Sequence, residues 1–124
     1  MKKKHIYLNL FLINFPVTAI ASIIHRITGV ILFFFFFVIL YLLKLAVESE
    51  SSFLMVSMLF EKFYIKLFLF FFLASFLYHF LFGLKHIIMD LGLVFNKSSS
   101  TKLTAILLVL FFIFSFIIFL SVVL

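Results

Sequence analysis

Residues 17–47 read VTAIASIIHRITGVILFFFFFVILYLLKLAV, a run in which only His25, Arg26 and Lys44 carry a basic side chain and none carries an acidic one. About 20 predominantly apolar residues are enough to cross roughly 30 Å of hydrocarbon as a helix. Only a helix or a closed barrel satisfies its own backbone there. The run is unbroken and lacks the alternation of a barrel strand, so it predicts a membrane-spanning helix. Two further runs of the same character follow, Phe63 to Ile88 and Leu103 to Leu124. The expected fold is all-α and integral to the membrane: one domain over residues 1–124, with an N-terminal segment 1–16 and three spans at about 17–47, 63–88 and 103–124.

Composition excludes the soluble alternative. Of 124 residues, 68% are hydrophobic and 11% charged, against roughly 45–50% and about 25% in ordinary soluble domains. A fold this short leaves much of its surface exposed, and that surface would be almost wholly apolar. Twenty-three Phe with no Trp exceed anything packing demands, and together with Ile, Lys and Asn they point to an AT-rich, reduced genome. The absence of Cys removes disulfides, iron–sulfur clusters and thiolate metal sites from this chain.

Basic residues bracket the spans. Arg26 to Lys44 and Lys66 to Lys85 each cover roughly 27–29 Å at about 1.5 Å per residue, the spacing of snorkelling cations at two interfaces. Lys2, Lys3, Lys4, Arg26, Lys85, Lys97 and Lys102 then share one side, and Lys44, Lys62 and Lys66 the other. This bias puts the N-terminus inside, in the bacterial cytoplasm or a mitochondrial matrix. Val17 to His25 becomes a helical lead-in starting near Pro16, a residue suited to a helix's first turn. The Ser- and Glu-rich stretch Glu48 to Glu61 and the stretch Asn96 to Lys102 read as the two connections. Lys2 to Lys4 followed by Ala19-Ile20-Ala21 imitates a signal peptide. Asn9, Asn14 and Pro16 interrupt its apolar region, however, and the sequence beyond Ala21 runs into a better span, so the segment is expected to be retained.

Ionisable groups inside a span cost several kcal/mol or about that order unless they face protein, cofactor or water. Two groups of them stand out. Ser22, His25, Arg26 and Gly29 occupy i, i+3, i+4 and i+7, one helical stripe. Arg26 is the chain's sole arginine, and its planar guanidinium suits an oxygen-bearing partner, although interfacial snorkelling would also explain it. His79, Gly83, His86 and Asp90 form a second stripe at i, i+4, i+7 and i+11. His79 lies roughly 9 Å inside Lys85 by helical rise. Its imidazole is either satisfied by a neighbour or serves as an axial ligand to haem iron. Gly83 either admits a flat macrocycle or lets another helix approach. His79 and His86 are separated by about 10 Å along the axis, too far to share an ion bound at roughly 2 Å. An iron on His79 would instead direct haem propionates toward His86, His25 and Arg26.

The stretches FPVTAIASIIHRITGV (Phe15 to Val30) and YHFLFGLKHIIMDLG (Tyr78 to Gly92) resemble, in order and spacing, the two signatures of the cytochrome b anchor subunit of succinate dehydrogenase, in its gammaproteobacterial form. Together they cover about a quarter of the chain, and the three-span topology accounts for the rest. The resemblance implies an anchor that packs with a second membrane-anchor subunit, holds the flavoprotein and iron–sulfur subunits at a bacterial inner membrane, and passes electrons from succinate to ubiquinone. It implies further that His79 is an axial ligand of haem b, with the second axial histidine from the partner anchor. His25, Arg26 and His86 would lie at the haem propionates, Ser22 and Arg26 in the ubiquinone pocket, and Asp90 near the quinone end. Two positions depart from the pattern: Lys85 stands where the family often has Arg, and Asn14 where related sequences have Arg. Two other readings compete. One is a cofactor-free membrane protein such as an assembly factor or a pore or transport component, and the other is the anchor of a fumarate reductase.

Overall fold

A computed structural model describes residues 15–94 and 96–124. The N-terminal lysines Lys2, Lys3 and Lys4, together with Asn9 and Asn14 and the signal-peptide question that turns on them, lie outside the described residues. Four helices make up the described chain: α1 (Val17–Glu48), α2 (Glu50–Phe60), α3 (Phe63–Asp90) and α4 (Lys97–Val122). Three of them, α1, α3 and α4, are long and apolar enough to cross a membrane. At about 1.5 Å per residue α1 runs roughly 48 Å, well beyond the hydrocarbon thickness, so its ends reach out of the apolar layer.

The connections differ from the sequence expectation, for local reasons. Glu48 to Glu61, read as a polar link, folds as α2 after a break at Ser49, whose backbone is extended. The Ser49 side chain accepts from the Ser52 amide at 3.2 Å, and the Ser49 amide donates to Ser52 Oγ at 3.1 Å. This reciprocal cap satisfies two amides that would otherwise lack partners at the start of a helix. Val56 is buried against α1, facing the groove formed by Ile39, Leu42, Leu43 and Ala46.

The second connection is shorter than the sequence suggested, because α4 begins at Lys97 and not near Leu103. Asn96 caps it, accepting from the Ser99 amide at 2.7 Å, and the Lys97 to Lys102 stretch is helical. Upstream, α3 closes at Gly92, whose φ of 71° belongs to the left-handed region that glycine adopts without a Cβ penalty. The Leu93 amide reaches the Ile88 carbonyl at 3.2 Å and the Gly92 amide the Met89 carbonyl at 3.0 Å. These are the paired bonds that end a helix with a sharp change of direction.

The core of the bundle is small and sits toward one end. Ala21 of α1 packs with Tyr78 and Phe82 of α3, and Leu107, Leu108 and Phe111 of α4 close over them. Tyr78 stacks on Phe82 with centroids 4.3 Å apart and meets Phe111 edge-on at 5.2 Å. The absence of a large side chain at Ala21 lets α1 and α3 approach, and the Tyr78 hydroxyl donates to the Ala21 carbonyl at 3.1 Å. Lys85, expected to snorkel at an interface, is instead only 4% exposed. With Tyr78 and Phe82 it forms an i, i+4, i+7 stripe along the inner face of α3. Most remaining Phe, Leu, Ile and Val side chains of the three long helices are exposed, which suits lipid and further subunits as surroundings.

Candidate functional site

The contact between α1 and α3 that holds this core also collects three of the four histidines. His25 on α1 and His79 on α3 stack face to face, with ring centroids 4.1 Å apart and planes inclined by 7°. His86, two turns along α3 from His79, tilts against His25 at 5.2 Å. The two stripes read from the sequence therefore meet. The first stripe is divided, however. Ala21, His25 and Thr28 turn toward α3, as their contacts with Tyr78, His79 and His86 require. Arg26, one residue and about 100° on, is exposed, while Ser22 is half-buried. Asp90 is exposed at the last position of α3.

The hydrogen bonds around His79 fix which nitrogen carries its proton. Nδ1 lies 3.1 Å from the His25 carbonyl oxygen and 3.4 Å from Thr28 Oγ1. The Thr28 hydroxyl donates to that same carbonyl at 2.9 Å, so the oxygen presents lone pairs to the imidazole. Both groups facing Nδ1 are acceptors, and Nδ1 must be the donor. Nε2 is left with its lone pair free, the form in which a histidine binds a metal while its other nitrogen is held by a carbonyl. Among the described residues no three His, Cys, Asp or Glu side chains converge to hold an ion. A metal at His79 would therefore take no more than two ligands from the described residues, and its other ligands would come from a macrocycle or a partner.

The two glycines each face a histidine of the other helix. A Cβ built on Gly29 would come within 3.0 Å of His79 Cε1, whereas one on Gly83 would meet His25 Nε2 at 3.7 Å. Gly29 thus adjoins the Cε1 edge of the His79 ring, and Gly83 lies beside His25, the helix-approach alternative for that glycine. His25 Nε2 is buried and has no hydrogen-bond partner among the described residues. A buried imidazole nitrogen without a partner costs about 1–3 kcal/mol, so this atom calls for a polar group from outside the described residues. Thr28 and Tyr78 went unnoticed in the sequence reading. A Thr hydroxyl bonds back to its own helix, as Thr28 does to the His25 carbonyl, and a Tyr is mostly apolar ring, so neither raises alarm in an apolar run. The one available signal was position, since each adjoins a residue already singled out.

The model of a family described as the succinate dehydrogenase/fumarate reductase transmembrane subunit matches residues 1–120. The chain is also similar to the succinate dehydrogenase cytochrome b556 subunit of Coxiella burnetii (strain RSA 493 / Nine Mile phase I), with 38% identity over 91 residues, which is 73% of each chain.

Proposed function

The chain belongs to the family of succinate dehydrogenase/fumarate reductase transmembrane subunits, and from that premise we propose that it is the cytochrome b anchor of a succinate:ubiquinone oxidoreductase. In this reading it shares a haem b with a second membrane-anchor subunit, helps to form the ubiquinone site, and tethers the iron–sulfur and flavoprotein subunits to a bacterial inner membrane with its N-terminus in the cytoplasm. Family membership sets aside the assembly-factor and pore readings. The direction from succinate to quinone is favoured over fumarate reduction by the name of the Coxiella relative, which also speaks for haem b.

The observation that carries the haem assignment is the bond from His79 Nδ1 to the His25 carbonyl at 3.1 Å, because it frees Nε2 and fixes the ring's orientation. The site fits such a group in a second respect. Haem has acidic edge groups as well as a metal, and the unpartnered Nε2 of His25 is suited to a propionate, with His86 beside it at 5.2 Å. Arg26 adds a fixed positive charge on the neighbouring face of α1. When bound, haem supplies a one-electron redox centre. His79 holds it in place, and His25, Arg26 and His86 offset its acidic edge, which would otherwise be costly to bury.

Ubiquinone is a substrate with two carbonyl oxygens that become more negative as electrons arrive. Ser22 can donate a hydrogen bond to one of them. Arg26, one helical turn further along the same stripe, favours the charged oxygen over the neutral carbonyl, and that difference is what accelerates reduction. Asp90, exposed at the end of α3, is placed in this reading near the quinone end, where a carboxyl can deliver protons.

The test is His79→Leu in the assembled complex, followed by a reduced-minus-oxidised optical spectrum. Loss of the b-type signal while the other subunits co-purify supports the assignment. An unchanged spectrum removes His79 as the ligand.

A further inference from the structure

The geometry points to Gly29 as the positioning residue of His79: by lacking a Cβ it lets the imidazole lie on the α1 backbone, where the His25 carbonyl and Thr28 hydroxyl of the same turn receive its Nδ1 proton. This inference rests on His79 being the haem ligand and concerns what sets that ligand's orientation. A Cβ at Gly29 would stand 3.0 Å from Cε1, 3.5 Å from Nδ1 and 3.9 Å from Nε2. The ring thus turns toward α1 the edge that carries both nitrogens, and any push at Cε1 moves the two nitrogens together. Retreat along the ring plane stretches the 3.1 Å bond to the His25 carbonyl. Displacement across the face is limited by the His25 ring stacked at 4.1 Å. A methyl group at position 29 therefore forces a shift of a few tenths of an ångström on an atom whose alignment sets the properties of a bound metal.

Gly83 provides the contrast. Both glycines lie in apolar helices, and alanine favours helix at both. A Cβ at Gly83, however, makes only ordinary contact at 3.7 Å, with His25 Nε2. If the glycines served merely to bring the helices together, alanine would be felt alike at both positions.

The experiment compares Gly29→Ala and Gly83→Ala in the complete complex, by electron paramagnetic resonance of the ferric haem and by redox titration of the b-type absorbance. Gly29→Ala is expected to shift the g-values and the midpoint potential, or to lose haem from an assembled complex, while Gly83→Ala, whose methyl group meets His25 and not His79, keeps the wild-type g-values. Wild-type g-values and potential in Gly29→Ala overturn the proposal, as does an equal shift of the g-values in Gly83→Ala. Should Gly29→Ala fail to assemble, Thr28→Val carries the test, since it keeps the backbone and side-chain shape and removes one acceptor. Since only the difference in bond strength between the ferric and ferrous states moves the equilibrium, Thr28→Val then changes the reduced-to-oxidised ratio at the wild-type midpoint by up to about tenfold, and Thr28→Ser restores it. An unchanged ratio overturns the proposal. Persistence of the b-type signal in His79→Leu is a separate failure, because it removes the ligand itself.

Discussion

Replacing Tyr78 by Phe removes one atom from the contact between α1 and α3, the hydroxyl that donates to the Ala21 carbonyl at 3.1 Å. The ring contacts with Phe82 and Phe111 at 4.3 and 5.2 Å survive. The abandoned carbonyl lies within α1 and keeps its helical partner, so no buried acceptor is stranded and the loss is the net bond alone. Between membrane helices such bonds average about 0.6 kcal/mol, with a ceiling of about 1.7. Tyr78→Ala removes the ring as well. In water the truncation of a buried aromatic costs about 3–5 kcal/mol, but here the unfolded reference is also in lipid and much of the transfer contribution vanishes. The void, moreover, adds to a cleft of about 370 Å³ among Ile24, Thr28, Ser75, Tyr78, Phe111 and Ser115. Ile24, Phe71 and Phe112 at this cleft are exposed, so an acyl chain can enter and offset part of the cavity penalty. A loss of about 1.5–3 kcal/mol is expected for Ala, two to five times that for Phe. Steric-trapping measurements on the complex in bicelles would give both values. Equal losses for Phe and Ala would refute the reasoning, since the hydroxyl and not ring packing would then hold the helices together.

Arg26→Leu is expected to lower quinone reduction by about 100-fold or more while dye-linked succinate oxidation persists, and Arg26→Lys to recover only part of it, because an ammonium lacks the guanidinium fork. Unchanged quinone reductase activity in Arg26→Leu would sink its role. At the end of α3, Gly92→Ala forces a side chain into a φ of 71° and should cost about 1–2 kcal/mol, seen as faster amide exchange at Gly92 and Leu93. Ser49→Ala removes one half of the α2 cap and should cost about 1 kcal/mol, with exchange at the Ser52 amide accelerated roughly fivefold by that loss. Exchange at wild-type rate would mean that the cap does not hold the helix end.

The three spans were legible because a lipid-facing helix declares itself by length and composition alone. The stripes of ionisable residues were legible because lipid makes each of them expensive. What stayed hidden depends on short-range or inter-helix geometry. The α2 helix hinges on two serines bonding to each other's amides, and α4 starts at Lys97 because of a single bond from the Asn96 side chain, so polarity alone misread both segments as links. Lys85 carries the same charge whether it snorkels or turns inward, and only the rotation of α3 against its neighbours decides. The functions of Gly29 and Gly83 could not be told apart by spacing. Each sits one turn from a histidine on its own helix, yet the histidine that matters to it is on the other.

Directional and non-directional contacts are unevenly shared along the α1 and α3 pair. The inter-helix hydrogen bonds fall between residues 21–28 and 78–79, while further along Phe35 meets Phe68 and Phe72 by ring contact alone, at 4.6 and 5.6 Å. Ring contacts tolerate sliding and rotation at little expense, whereas hydrogen bonds fix register to tenths of an ångström. The phenylalanine end, where α2 ties α1 to α3 through the chain, can therefore readjust its ring packing when the bilayer thickens or thins, while the hydrogen bonds hold the histidine end in register.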